Sequence, residues 1–161
     1  MDPDEFTRKI EMDDNPWEVD QLQAEISEII KKDKIMREKL PENIKVGIFD
    51  ISCKEMKEYL SEKYQNLQKN LIDMIAKKAK SEAQSIFQSF KQMENNLKET
   101  PKDIEKLTEI REYIANLPME LDKMRIEMSK CFDIYKILED FNYRFNKEDL
   151  DKRWLIFGSP K

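Results

Sequence analysis

Residues 107–138 read LTEIREYIANLPMELDKMRIEMSKCFDIYKIL, and this stretch decides the fold. Its apolar residues recur in alternating steps of three and four, at Leu107, Ile110, Ile114, Leu117, Leu121, Met124, Met128, Cys131, Tyr135 and Leu138. This spacing places all ten side chains on one side of an α-helix. The stretch therefore predicts a long helix with a continuous apolar seam.

A second apolar ladder precedes the first and is separated from it only by Lys98-Glu99-Thr100-Pro101. Its members are Met56, Leu60, Tyr64, Leu67, Leu71, Ile75, Ala79, Ala83, Ile86, Phe90, Met93 and Leu97. Two such seams joined by a short turn pair most simply as antiparallel helices. The predicted fold class is all-α, an elongated helical bundle built on a long antiparallel helical hairpin. A turn near residue 99 would place Cys131 opposite residue 67, about 20 Å from Cys53, and so excludes a disulfide between the cysteines.

The remaining sequence predicts an acidic N-terminal extension at residues 1–15 and one helical domain at residues 16–161. Pro16 and Pro41 delimit a first helix, and the β-branched run around Gly47 has no evident second strand, which predicts an extended connector. Ser52 and Thr100 are the expected N-caps of the two long helices. The predicted segments are a helix at 16–40, a connector at 41–51, a helix at 52–98, a helix kinked at Pro118 at 100–145, and a short helix at 146–157.

The composition agrees with a long, thin helical protein. Charged residues make up 39% of the chain and hydrophobic residues also 39%, with only two glycines. A formal net charge of -5 disfavours a nucleic-acid binder, which needs a basic face. No segment has the roughly 20 apolar residues of a membrane span, and no signal peptide is evident, so we expect an intracellular protein without membrane contact.

Catalytic chemistry is not expected from these residues. The chain has no histidine, and its two glycines, Gly47 and Gly158, stand too far apart to form a phosphate-binding loop. Two cysteines at unrelated positions do not make a zinc site. We therefore predict no catalytic residues, no metal site and no cofactor. The candidate interaction surface is the apolar row Trp154, Leu155, Ile156 and Phe157, because a single helical stripe cannot bury all four side chains.

Several segments together resemble the tail of dynein heavy chains of the axonemal type, immediately before the linker domain. The resemblance covers roughly residues 17–161, and Ser159 stands where the family often has a second Trp before the Pro. The segments that carry it are Val46–Cys53, Thr100–Leu107, Tyr113-Ile114, Tyr135–Phe141 and Trp154 with Gly158-Ser159-Pro160-Lys161.

The resemblance implies a non-catalytic segment of a microtubule motor that serves ciliary movement, in the cytoplasm at the cytoskeleton and the ciliary axoneme. Such a segment links the anchoring tail to the linker, whereas ATP hydrolysis belongs to AAA+ modules elsewhere in the family. The implied partners are adjacent heavy-chain bundles and the linker, with dynein intermediate or light chains as further candidates. The alternative is an independent coiled-coil scaffold or adaptor. Gly47 and its connector discriminate, because a plain coiled coil does not need them.

Overall fold

The computed structural model describes Phe6, Arg8, Ile10 and residues 17–101 and 103–158, except for the side chains of Leu155 and Phe157. The elements in chain order are helix α1 (Val19–Lys39), strands β1 (Asn43–Val46) and β2 (Phe49–Ser52), and helices α2 (Lys54–Lys98), α3 (Ile104–Asp140) and α4 (Lys147–Gly158). The helical class is as predicted, with one small antiparallel sheet added. The predicted acidic extension lies outside the described residues apart from Phe6, Arg8 and Ile10.

The chain divides into two compact units, Met1–Ile75 and Ala76–Lys161. The first unit contains α1, the two strands and the N-terminal part of α2. The second contains the C-terminal part of α2 together with α3 and α4. Among the described helices, none combines the length and the apolar content needed to cross a lipid bilayer.

Helix α1 begins at a polar cap and buries one stripe of its surface. The Glu18 backbone N–H donates to Gln21 Oε1 at 2.9 Å, which satisfies a donor that has no partner within the helix. Leu22, Ile26 and Ile29 are 3%, 0% and 2% exposed. Their spacing of four and three residues is that of a helix with one face in the core.

Residues 43–52 form a β-hairpin, so the prediction of an unpaired connector is wrong. Strand β1 pairs with β2 in antiparallel register, with Ile44 opposite Ile51 and Val46 opposite Phe49. Gly47 has a φ of 65°, and only Gly47 and Ile48 lie between the paired residues. A two-residue hairpin turn needs positive φ, which glycine adopts without strain. The second strand is thus the other half of the same short run.

Helix α2 begins later than predicted because Ser52 belongs to the hairpin. Ser52 pairs with Asn43, and Cys53 extends the pairing by donating its backbone N–H to the Glu42 carbonyl at 2.7 Å. The Cys53 carbonyl then accepts the first helical bond, from Lys57 at 2.9 Å. The prediction of Ser52 as the N-cap is therefore wrong, since that residue lies in an extended strand.

Side chains of α2 fix the end of α1 within the first unit. Lys57 Nζ donates to the Leu40 carbonyl at 3.2 Å, where the helix leaves acceptors without helical partners. A second link is the hydrogen bond from the Arg37 guanidinium to the Ser61 hydroxyl, and Ser61 is 7% exposed. Both hydrogen bonds have a charged donor, and they join residues that precede the hairpin to residues that follow it.

Only the central part of the α2 ladder is fully buried. Leu71, Ile75, Ala79, Ala83 and Ile86 are all 3% exposed or less. The ends of the same ladder are open to solvent, since Met56 is 60% exposed and Leu97 is 48% exposed. The correct side of the helix was predicted, but not the extent over which that side is covered.

The α3 ladder shows a similar gradient within the second unit. Leu107 and Ile114 are 54% and 52% exposed, whereas Cys131 and Leu138 are fully buried. Cys131 Sγ lies 4.0 Å from the Ala79 carbonyl oxygen, so its neighbour on α2 is Ala79 and not residue 67, as a turn near residue 99 predicts. The early turns of α3 therefore do not cover their apolar side chains, and the contact of Cys131 with α2 lies 12 residues from the position that the predicted turn requires.

Both ends of α3 differ from the prediction. The N-cap is Asp103 and not Thr100, since the Asp103 carbonyl accepts the N–H of Leu107 at 3.1 Å. The helix continues through Pro118 and ends at Asp140, several residues before the predicted end at 145.

The early end of α3 is a Schellman motif at Asn142. This residue has a φ of 56°, and its N–H donates to the Glu139 carbonyl at 2.9 Å. The N–H of Tyr143 donates to the Leu138 carbonyl, also at 2.9 Å. These two bonds satisfy carbonyls at the helix end, and asparagine is the residue after glycine that best tolerates the left-handed conformation.

Candidate interaction surface on helix α4

Helix α4, which carries the predicted surface, starts at a cap formed by Asn146. The Asn146 carbonyl accepts the backbone N–H groups of Asp149 and Leu150, each at 3.1 Å. Glu148 and Asp149 lie in the first turn, where negative charge is favourable for the helix dipole. The start of the helix therefore presents carboxylates close to its own positive end.

One of these carboxylates attaches α4 to α2. Asp149 is 7% exposed, and its Oδ2 lies 2.8 Å from Lys80 Nζ. The hydrogen bond to Asp149 and the charge of this carboxylate raise the pKa of Lys80, and partial burial opposes the rise. The pair joins residues far apart in sequence and sets the position of α4 within the second unit.

A second polar link joins α4 to α3 through Arg153. Its Nη1 lies 2.5 Å from Glu139 Oε1. The guanidinium carbon is 5.4 Å from the centroid of the Tyr135 ring and 5.9 Å from that of Phe132. These distances are within the range of cation–π attraction, so Arg153 combines an ion pair with two aromatic contacts. Its side chain is 21% exposed, which limits solvent screening of these interactions.

The phenol of Tyr135 and the thiol of Cys131, which lie beneath α4, have a structural role because burial keeps both groups neutral. Tyr135 is 2% exposed, and burial is the main cause that raises its pKa to about 12, with smaller contributions from the charges of Cys131 and Asp149. Burial, followed by the charge of Glu82, raises the pKa of Cys131 to about 11. A thiol in this state is a poor nucleophile and a poor metal ligand at neutral pH.

The four residues of the predicted surface divide between solvent and core. Trp154 is 76% exposed, whereas Ile156 is 1% exposed. The side chains of Leu155 and Phe157 lie outside the described part of the chain. Ile156 therefore belongs to the core of the second unit, and its assignment to a free surface is wrong. The helix has folded back on its neighbours through Ile156 and Asp149, and it leaves Trp154 outside.

Trp154 lines a shallow pocket with residues that the sequence interpretation missed. The pocket has a volume of about 350 Å³, and its other lining residues are Phe132, Leu150 and Arg153. Phe132 and Leu150 are 45% and 39% exposed. Leu150, Arg153 and Trp154 follow the i, i+3, i+4 spacing of one helical face, which was a usable signal in the sequence.

A second apolar groove lies on the same unit, lined by the C-terminal end of the α2 ladder and the middle of the α3 ladder. Its volume is about 460 Å³ and its lining is mainly apolar, with Lys91 and Glu94 as its charged members. The other lining residues are Phe87, Phe90, Met93, Leu97, Leu117, Leu121 and Ile156. The groove occurs where the helical seams are incompletely covered.

This arrangement suits binding better than catalysis. Within the described residues, no three acidic or cysteine side chains converge in a way that could hold a metal ion. The pocket beside Trp154 instead combines aromatic and aliphatic surface with a guanidinium group. Tryptophan and arginine in such settings are frequent anchors of protein interfaces.

Comparison with known proteins identifies relatives of one kind, although no protein-family model matches the chain. The chain is 28% identical over 143 residues to dynein axonemal heavy chain 1 of Homo sapiens, a match that covers 86% of the chain. The counterparts in Mus musculus and Rattus norvegicus are 28% and 27% identical and cover 81% and 68% of it. The chain spans only about 3% of the length of the human and mouse relatives. These matches confirm the resemblance found in the residues: the chain is similar to a segment of dynein heavy chains of the axonemal type.

Proposed function

We propose that this chain is a non-catalytic structural segment of a dynein heavy chain tail, which connects the anchoring part of the tail to the linker of the motor. The observation that carries the proposal is the similarity to axonemal heavy chain 1 over 143 residues. The expected location is the cytoskeleton of the ciliary axoneme, because the relatives are named as axonemal proteins.

The side-chain chemistry supports a mechanical role. The sequence has no histidine and only two glycines, so it lacks the commonest general base and a phosphate-binding loop. The buried thiol and phenol on α3 are held neutral by their surroundings. We therefore propose that the segment is not an enzyme and that ATP hydrolysis takes place in other parts of the heavy chain.

We also propose that α2 and α3 pair as a long antiparallel helical hairpin that transmits load. The 4.0 Å contact between Cys131 Sγ and the Ala79 carbonyl supports this pairing in the second unit. Paired helices with a continuous apolar seam resist bending more than a flexible linker does. The elongated shape remains a prediction, for which a radius of gyration above about 20 Å is expected in place of the ~15 Å of a compact chain of this length.

The surface beside Trp154 is the proposed contact with the linker. An exposed indole next to Phe132 and Leu150 can enter an apolar site on a partner, while Arg153 is already held by Glu139. Such a rigid anchor loses little conformational entropy on binding. Adjacent heavy-chain bundles, and dynein intermediate or light chains, are the further proposed partners. An independent coiled-coil scaffold is disfavoured, because it would have no need for a β-hairpin between its helices.

The experiment replaces the matched segment of human dynein axonemal heavy chain 1 in two ways, with this chain and with a Gly/Ser linker of equal length. We expect both chimaeras to retain basal ATPase activity, because neither replacement alters the motor modules. Microtubule gliding should persist with this chain and slow markedly with the flexible linker. A Trp154→Ala chimaera should be intermediate, whereas Arg125→Ala, at an exposed position, serves as the matched control. Equal gliding by all four proteins would refute a load-bearing role.

A further inference from the structure

The hairpin at residues 43–52 separates apolar from polar side chains completely. Paired residues of an antiparallel sheet share a face, and alternate residues of a strand lie on opposite faces. The register therefore places Ile44, Val46, Phe49 and Ile51 on one face. Asn43, Lys45, Asp50 and Ser52 lie on the other. The result is a small sheet with an entirely apolar face and an entirely polar one.

The apolar face is open to solvent. Its four side chains are 41%, 55%, 67% and 50% exposed in the order Ile44, Val46, Phe49 and Ile51, and Ile48 at the turn is 94% exposed. These fractions correspond to on the order of 500 Å² of contiguous apolar surface, which is as large as the largest patch on a typical soluble monomer. A two-stranded hairpin is also marginally stable by itself, so covering this face would stabilise it.

A partner would cover the face of this sheet and not extend its edge. Lys45 and Asp50 occupy interior positions of the two strands, and charged residues on edge strands oppose the addition of another strand. A strand added at an edge would moreover leave Val46 and Phe49 as exposed as before. Face-to-face packing removes the apolar side chains from water and leaves both charges solvated on the outer side.

We propose that this apolar face is a self-association site, at which the hairpins of two copies of the chain stack face to face about a two-fold axis. Two sheets pack about 10 Å apart, so the apolar side chains of the two copies would interdigitate between them. A two-fold contact uses the same patch on both copies and requires only that the patch be self-complementary. This one contains no charge that would be buried or repelled by its own copy.

The size of the patch determines the expected strength. With at most on the order of 500 Å² from each copy, the interface would bury no more than about 1,000 Å² in total, which is the lower limit for specific interfaces. The dimer should therefore be weak and reversible. This inference does not depend on the proposed function in the heavy chain, since it concerns only the hairpin and a second copy.

Sedimentation velocity of the full 161-residue chain tests the proposal, over a range from about 1 μM to about 300 μM. We expect a reversible monomer–dimer equilibrium for the unsubstituted chain. Phe49→Asp and Val46→Asp should each weaken dimerisation by at least about tenfold, since both place a charge in the apolar interface of each copy. Lys45→Gln, on the polar face of the same strand as Val46, is the matched control and should leave it unchanged.

Circular dichroism of each variant at low concentration provides the second measurement. All three positions are exposed in the monomer, so the helical signal and its melting temperature should be preserved. A chain that stays monomeric over the whole range would overturn the proposal and leave the face to a different protein. A dimer that persists in both Phe49→Asp and Val46→Asp, with the fold intact, would also overturn it.

Discussion

The burial of the α3 ladder predicts that the same substitution will cost much more stability at the end of this helix than at its start. Leu107 and Leu138 belong to the same ladder and would be equivalent if spacing alone determined their energetic contribution. In the structure, Leu107 is 54% exposed and Leu138 is 0% exposed. Leucine-to-alanine substitution at the two positions is a matched pair, because the helix, the compact unit and the chemical change are the same.

The expected magnitudes follow from burial. Leu138→Ala removes a fully buried side chain and leaves a cavity in the core, so the free energy of unfolding should fall by about 2–5 kcal/mol. Leu107→Ala removes a side chain that already keeps half of its surface in water, and no closed cavity results. Its cost should stay below about 1 kcal/mol, and the slightly better helix propensity of alanine lowers it further.

Urea denaturation monitored by circular dichroism measures both values. The two compact units can unfold in separate transitions, so the comparison uses the transition that Leu138→Ala shifts. Unchanged m-values would show that a lower midpoint reports stability and not a change in compactness. Glu105→Ala, at an exposed site beside Leu107, is the control and should change the free energy by less than about 0.5 kcal/mol. Equal losses for Leu107→Ala and Leu138→Ala would refute the gradient.

Three further predictions concern titration, fluorescence and catalysis. Burial raises the pKa of the Cys131 thiol from 9.0 to about 11, so the contribution of the neutral thiol to stability is fully present below about pH 9 and is lost as the pH rises through 11. Cys131→Ala should therefore reduce the fall in melting temperature between pH 9 and pH 11. An unchanged fall in the variant would contradict the raised pKa. With Trp17 replaced by Phe, the exposed Trp154 should emit like an indole in water and be quenched by acrylamide, and a blue, protected emission would contradict its 76% exposure. The isolated chain should neither hydrolyse ATP nor show an ATP-dependent thermal shift, and stoichiometric ATP binding in calorimetry would argue against a non-catalytic role.

The helices could be predicted from the sequence because their signals are local. Apolar residues at steps of three and four identified α2 and α3, and Pro16 and Pro41 gave approximate boundaries for α1. The end of α3 at Asp140 had a local signal too, since Asn142 is a residue that tolerates left-handed backbone. That signal was not used in the prediction, which extended the helix to Phe145 because of the apolar residues Phe141 and Phe145.

The hairpin was not predicted because the β-branched run around Gly47 was interpreted as a single strand without a partner. Gly47 and Ile48 form a two-residue turn inside this run, and four residues on each side complete the sheet. The alternation of apolar and polar residues on both sides of a glycine was the relevant local pattern. Its solvent exposure could not be predicted, since alternation indicates that one face is apolar and not what covers it.

The fold-back of α4 depends on pairings that no local pattern contains. Lys80 and Asp149 are joined by a 2.8 Å ion pair across a long stretch of sequence, and charged residues are so common in this chain that the pair could not be singled out. The row of large apolar residues at 154–157 predicts that one helical stripe cannot bury them all, and of the two described side chains Trp154 is exposed and Ile156 is buried. Which side chain lies inside depends on the rotation of α4 about its axis, and this is set by the contacts of Asp149 and Arg153.

The positions of the exposed apolar side chains provide an argument about how this segment works. Within the described part of the chain, the three most exposed large apolar side chains are Ile48 at the hairpin turn, Ile104 at the start of α3 and Trp154 on α4, at 94%, 85% and 76%. Of the three, Trp154 has buried residues on its own helix, Asp149 and Ile156, which hold it in place. Single apolar residues on a surface need no special explanation, whereas contiguous exposed apolar patches are typical of interfaces. If Ile48, Ile104 and Trp154 contact different partners, aspartate at each position should impair a different interaction while the melting temperature of the isolated chain stays nearly constant. Loss of stability at all three positions would instead show that these side chains serve the fold of the segment.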